Sequence, residues 1–132
     1  MARFPFFIVT AIATVYLAFS TTADAQSRGF YRAQDVAFFE QVALGELDVT
    51  PIGVLKDKRC PDVQLCTFED EVVISFLVDD GYFRREVVLE LNRPVAVDGG
   101  LLLLTDTGAA PKWNGAIRLD SYNLDLRYIP LD

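Results

Sequence analysis

One stretch restricts the fold more than any other. Over Val72 to Val78, the residues Val72, Ile74, Phe76 and Val78 fall on one face of an extended chain. Asp79-Asp80-Gly81 then carries the composition of a tight turn. Phe83 to Leu91 resumes the alternation, with Phe83, Val87, Leu89 and Leu91 on one face and Arg84, Glu86 and Glu90 on the other. Arg85 is the exception on the apolar face. Two period-two runs joined by such a turn make a half-buried antiparallel hairpin, apolar inward and polar outward.

The rest of the chain repeats the pattern less cleanly. Gln26 to Gln34 is polar and reads as a loosely held leader. Val36 to Leu44 suits either a short helix capped by Asp35, with Val36, Phe39, Val42 and Ala43 on one face, or a strand. The strand is preferred because Gly45-Glu46 then turns into Leu47 to Thr50. Pro51 cannot donate to a ladder, so it marks an edge or a bulge there before the strand resumes at Ile52 to Leu55. Asn92-Arg93-Pro94 is a break, Asp98-Gly99-Gly100 a second tight turn, and Leu101 to Leu104 a short buried strand. Thr105 to Gly115 reads as a loop containing Pro111 and Trp113, and Ile117 to Asp120 as a short strand. Tyr122, Leu124, Leu126 and Tyr128 alternate with Asn123, Asp125 and Arg127 in a closing strand ended by Pro130. The expectation is an all-β fold, a small antiparallel sandwich or barrel of about seven short strands with one disulfide-tied loop. No internal repeat or linker divides residues 26–132, which read as a single β domain.

The amino terminus carries an export signal. Arg3 supplies a short positive region, Phe6 to Phe19 is apolar apart from Thr10 and Thr14, and Ala23-Asp24-Ala25 before Gln26 fits a small-residue cleavage site. Residues 1–25 are read as a cleaved signal peptide rather than an anchor, because the apolar run is shorter than the ~20 residues that a spanning helix needs. No cysteine precedes Cys60, so no lipid-attachment cysteine follows the signal. The expected product is periplasmic or secreted, with no membrane span in the mature chain. Removing Arg3 and Asp24 takes away one charge of each sign and leaves the net charge at -7. That charge repels nucleic-acid phosphates and anionic lipid, so neither is expected as a partner.

The chain has 2 cysteines and 0 histidines. In an exported chain two cysteines argue for a disulfide, here Cys60–Cys66. Chain-entropy arguments give about 2.4 kcal/mol for so short a loop. Without histidine there is no general base that titrates near neutrality, no Ser-His or Cys-His pair and no imidazole metal ligand. No catalytic residue, metal site or cofactor is expected. Glu69-Asp70-Glu71 and Asp79-Asp80 supply oxygen ligands of the kind calcium takes, but without the spacing of a calcium loop, and read as a solvated acidic rim. Lys56, Lys58 and Arg59 form a basic patch beside Asp57 and Asp62. Either these charges order the loop, with Asp57 accepting loop amides and Arg59 folding back on a carbonyl or carboxylate, or Arg59 projects to recognise a protein partner. Asp57, Lys58, Arg59 and Pro61 are thus the loop-bracing or recognition candidates. Trp113 is read as a lid over one end of the core, Phe68 as packing against the disulfide, and Arg84-Arg85 as a solvated strand edge.

Asp57, Arg59, Cys60, Pro61 and Cys66 carry a resemblance. The stretch resembles a family of small exported bacterial domains, many of them lipoproteins, marked by D-S-R-C-P, four residues, C and x-W-x-G. Lys58 stands for Ser, Phe68 for Trp and Asp70 for Gly. The likeness runs from about Leu47 to Leu91 and implies an exported β domain with a disulfide loop, without implying a mechanism. The function expected is a non-enzymatic binding or structural module of the cell envelope. The alternatives are a protease inhibitor presenting Lys58-Arg59 on the tied loop and a hydrolase using paired carboxylates.

Overall fold

Alternation along the chain becomes eight antiparallel strands in a computed structural model that describes residues 29–61, 64–111 and 117–131. They are β1 (Tyr31–Val36), β2 (Val42–Leu44), β3 (Leu47–Lys58), β4 (Glu71–Asp79), β5 (Arg84–Glu90), β6 (Val95–Val97), β7 (Gly100–Asp106) and β8 (Leu124–Pro130). One sheet has the order β1-β8-β7-β6 and the other β2-β3-β4-β5. The fold is an all-β sandwich. Sequential strands are neighbours, and β8 returns to pair with β1. The chain changes sheet between β1 and β2 and again between β5 and β6. The second crossing is tied by adjacent amides: Leu91 donates to Val72 in one sheet at 2.9 Å, and Asn92 to Leu104 in the other at 2.8 Å.

The hairpin is β4 and β5, with β4 inside the second sheet and β5 at its edge. Val72, Ile74, Phe76 and Val78 are buried, and β5 meets them with Val87 and Leu89. The first sheet supplies Leu102, Leu104, Leu124, Leu126 and Tyr128 to the same core. Each such aliphatic or aromatic side chain contributes about 1.5–3 kcal/mol by leaving water. Phe83 departs from the alternation and is 73% exposed, because β5 begins only after it. Arg85 sits at the open end of the inward face, where its guanidinium reaches Asp98 of the other sheet at 2.9 Å.

Four other expectations are corrected. The polar leader contains strand β1, which pairs with β8 while burying fully only Val36. Val36 to Leu44 is interrupted: a turn follows Val36, and β2 starts at Val42. Val95–Val97 adds a strand, which brings the described total to eight. At Ile117 to Asp120 there is no strand, and a single 3-10 turn spans Leu119–Ser121. Trp113 and its lid role lie outside the described residues.

Pro51 sits at a bulge. Register against β4 shifts between Pro51 and Gly53 and again between Val54 and Lys56. One extra residue flips the facing of everything beyond it, and a second restores it. The row opposite β4's buried residues is therefore Val49, Pro51, Val54 and Asp57, facing Val78, Phe76, Ile74 and Val72. A carboxylate thus ends an otherwise apolar row.

Candidate functional site

Asp57 is the centre of the end of the sandwich that carries the tied loop. Its neighbour in the network, Arg59, donates from Nε to Oδ1 and from Nη2 to Oδ2, both at 2.8 Å. This is the forked geometry that makes arginine–carboxylate pairs strong. The Tyr122 hydroxyl, at the entry to β8, donates to Asp57 Oδ2 at 2.7 Å. Arg59 Nη1 donates to Thr107 Oγ1 at 3.1 Å and to the Ala109 carbonyl at 2.7 Å. Asp57 and Arg59 belong to the second sheet's β3 end, whereas Thr107, Ala109 and Tyr122 lie between β7 and β8 of the first. The network therefore crosses the sandwich. Both charged side chains are only 11% exposed.

The connection that receives Arg59 is itself fixed. The Asp106 carboxylate accepts the amides of Thr107 and Gly108, at 2.7 and 2.9 Å, and the Thr107 carbonyl accepts the Asn123 amide at 2.9 Å. Gly108 has φ +67°, and a Cβ there would lie 2.8 Å from the Asn123 carbonyl oxygen. A side chain there would press on Asn123, and the left-handed φ itself favours glycine.

Cys60 and Cys66 are joined by a disulfide with a Cα–Cα separation of 6.0 Å. The amide of Cys60 donates to Asp70 Oδ1 at 2.7 Å. The loop-amide acceptor is thus Asp70, while Asp57 takes its bonds from side chains. Glu71 pairs with Lys56. The acidic run is therefore engaged at two of its three residues. Pro61 is half-buried at the loop's start. Lys58 is exposed, with its Nζ 4.9 Å from the centroid of the Phe68 ring. Phe68 is 41% exposed and Leu65 71%. Arg84 and Arg85 pair with Asp79 and Asp98.

The electrostatics follow from this packing. Burial pushes the Asp57 carboxyl up, but hydrogen bonds from Arg59 and Tyr122 and the charge of Arg59 outweigh it, and the group is held below its ordinary value. Arg59 is raised, first by its hydrogen bond to Asp57. Tyr122 is pushed far above the ordinary phenol, by burial and then by the hydrogen bond to Asp57 and its charge. The result is a salt bridge locked in its ionised form beside a neutral phenol. None of the three is poised to exchange a proton near neutrality. Among the described residues no group of three or more His, Cys, Asp or Glu side chains is arranged to hold a metal ion, and no helix is long and apolar enough to cross a membrane.

Sequence places Asp70 only in a solvated acidic rim and gives no signal for Tyr122, Thr107 or Ala109 as site residues. Tyr122 and Thr107 are 65 and 48 positions from their partners, so no local pattern signals them. No family model matches the chain, and no curated protein and no solved structure shows significant similarity to it.

Proposed function

We propose that this chain is an exported, non-catalytic binding module that presents the outward face of the Cys60–Cys66 loop to a protein partner in the periplasm or outside the cell. The observation that carries this reading is the division of the loop and the residues flanking it into two faces. Inward, Asp57, Arg59 and Asp70 tie it down. Outward, Lys58, Leu65 and Phe68 remain at the surface. Anchor points already tied, the Asp57–Arg59 pair and the Cys60 amide, lose little conformational entropy on binding. Export rests on the signal-like residues 1–25 and on the disulfide. The resemblance through Asp57, Arg59, Cys60, Pro61 and Cys66 supports the same assignment.

The inhibitor alternative is weakened because the Arg59 guanidinium is spent on Asp57, Thr107 and Ala109 and is not offered to a protease pocket. The test is a crosslinking pull-down from the native envelope with the wild type, Lys58→Glu and Leu65→Ala. The expected result is a captured protein that both variants lose while keeping wild-type melting temperatures. Equal capture by all three overturns the assignment of this face, and tight inhibition of a trypsin-like protease would restore the inhibitor.

A further inference from the structure

The end of the sandwich opposite the disulfide holds a cavity of about 270 Å³ lined by Tyr31, Glu46, Leu47, Asp80, Asp98 and Tyr128, with Gly99 and Pro130 completing the rim. It forms where the β2–β3, β4–β5 and β6–β7 turns meet the start of β1 and the end of β8. Tyr31 and Tyr128 form its aromatic wall. The Tyr31 and Tyr128 rings lie 6.5 Å apart between centroids and within 20° of parallel. Each is seated on a glycine: a Cβ on Gly45 would come within 2.7 Å of the Tyr31 ring, and one on Gly100 within 2.5 Å of Tyr128. The Tyr128 hydroxyl donates to the Asp98 carbonyl at 2.9 Å, which fixes the ring against the β6–β7 turn.

Three carboxylates line this cavity and no basic residue does. Arg85 pairs with Asp98 from outside the lining. Glu46 and Asp80 have no ion-pair partner within 4.0 Å among the described residues. The Asp80 carboxylate accepts the amides of Tyr82 and Phe83, at 2.8 and 2.7 Å, and these hold it ionised. Burial, then the charges of Asp98 and Glu46, push the Tyr128 phenol up. The cavity thus combines a net negative charge, three carboxylates against the one guanidinium of Arg85, with two neighbouring aromatic rings. Inorganic cations want converging oxygen ligands, which are not assembled here. Aromatic faces with flanking carboxylates suit an organic cation.

We propose that this cavity binds a small organic cation, an alkylammonium or guanidinium group, between Tyr31, Tyr128 and the Glu46 carboxylate. The site is separate from the tied loop, so it stands or falls independently of the partner surface. An acid–base pair for hydrolysis would need one carboxyl held protonated. Asp80 is held the other way.

The test is a two-dimensional amide NMR titration of the full chain with choline, cadaverine and agmatine, with calcium chloride as competitor. Saturable shifts are expected at the amides of Gly45, Glu46 and Gly99 with at least one amine, weakened by salt. Glu46→Gln, at an exposed turn position, is expected to weaken binding about tenfold with the spectrum otherwise unchanged. Tyr31→Ala is the second variant and should also weaken binding. Absence of saturable shifts at millimolar amine, indifference to Glu46→Gln, or displacement of the amine by calcium at lower concentration would each overturn the proposal.

Discussion

At the scale of single residues, the fold places a charge where a hydrophobe is the default. Asp57 ends the row Val49, Pro51, Val54, and Arg59 neutralises it from two positions along the chain. Removing one partner of such a pair leaves the other buried and unpaired. Arg59→Ala should therefore lower stability by about 2–3 kcal/mol in urea denaturation, and Arg59→Lys should recover less than half, since an ammonium cannot make the forked contact. A loss under about 0.5 kcal/mol would show the network to be incidental. The shifts also set a pH window. Asp57 titrates below its unfolded value, so its contribution is complete above about pH 4 and is lost as pH falls through the folded value. Tyr122 titrates above its unfolded value, so its contribution is present below about pH 10 and is lost as pH rises. Tyr122→Phe should flatten the alkaline limb of stability against pH, leaving the part due to Tyr128. Arg127 gives the opposite case. Its Nε is buried without a hydrogen-bond acceptor among the described residues, while the guanidinium lies 5.0 Å from the Phe30 centroid. Arg127→Met keeps the stacking volume and removes the orphan donor, so its melting temperature should equal or exceed the wild type.

At the scale of elements, the disulfide is one of several ties on its loop. Cys60→Ser with Cys66→Ser should cost about 2.4 kcal/mol, with hydrogen-exchange protection in β3 and β4 persisting, because Asp70 still holds the Cys60 amide and Arg59 still reaches the other sheet. Loss of protection throughout β3 would mean the disulfide carries the strand. Gly100→Ala should cost about 1–3 kcal/mol by driving a methyl into the Tyr128 ring. The β4–β5 hairpin and β8 are legible in the sequence because β4 and β8 each bury one face along their length and β5 buries Val87 and Leu89, which period-two alternation reports directly. β1 was not. Its pattern exposes most of its residues, so Tyr31–Val36 resembles a polar leader until β8 is there to pair with it. β6 is three residues long, too short to show a period. The turn residues Glu46, Asp80 and Asp98 read locally as turn formers, and only the tertiary fold gathers them around a cavity.

At the scale of the whole molecule, the chain runs as an up-and-down meander that closes on itself through β1 and β8 and divides into two sheets. The two ends differ. One is closed by a polar clasp and a disulfide, and the other holds the cavity beside the stacked Tyr31 and Tyr128 rings. The sequence showed the clasp only in part: the Asp57–Arg59 spacing was visible, but Thr107, Ala109 and Tyr122 are brought to it by the second sheet. This clasp joins the sheets and thereby holds the loop. A double-mutant cycle on Asp57→Ala and Tyr122→Phe, read by urea denaturation, tests it most directly. The expected coupling is about 1 kcal/mol or more, and additivity within about 0.3 kcal/mol would mean that Asp57 and Tyr122 do not tie the two sheets together.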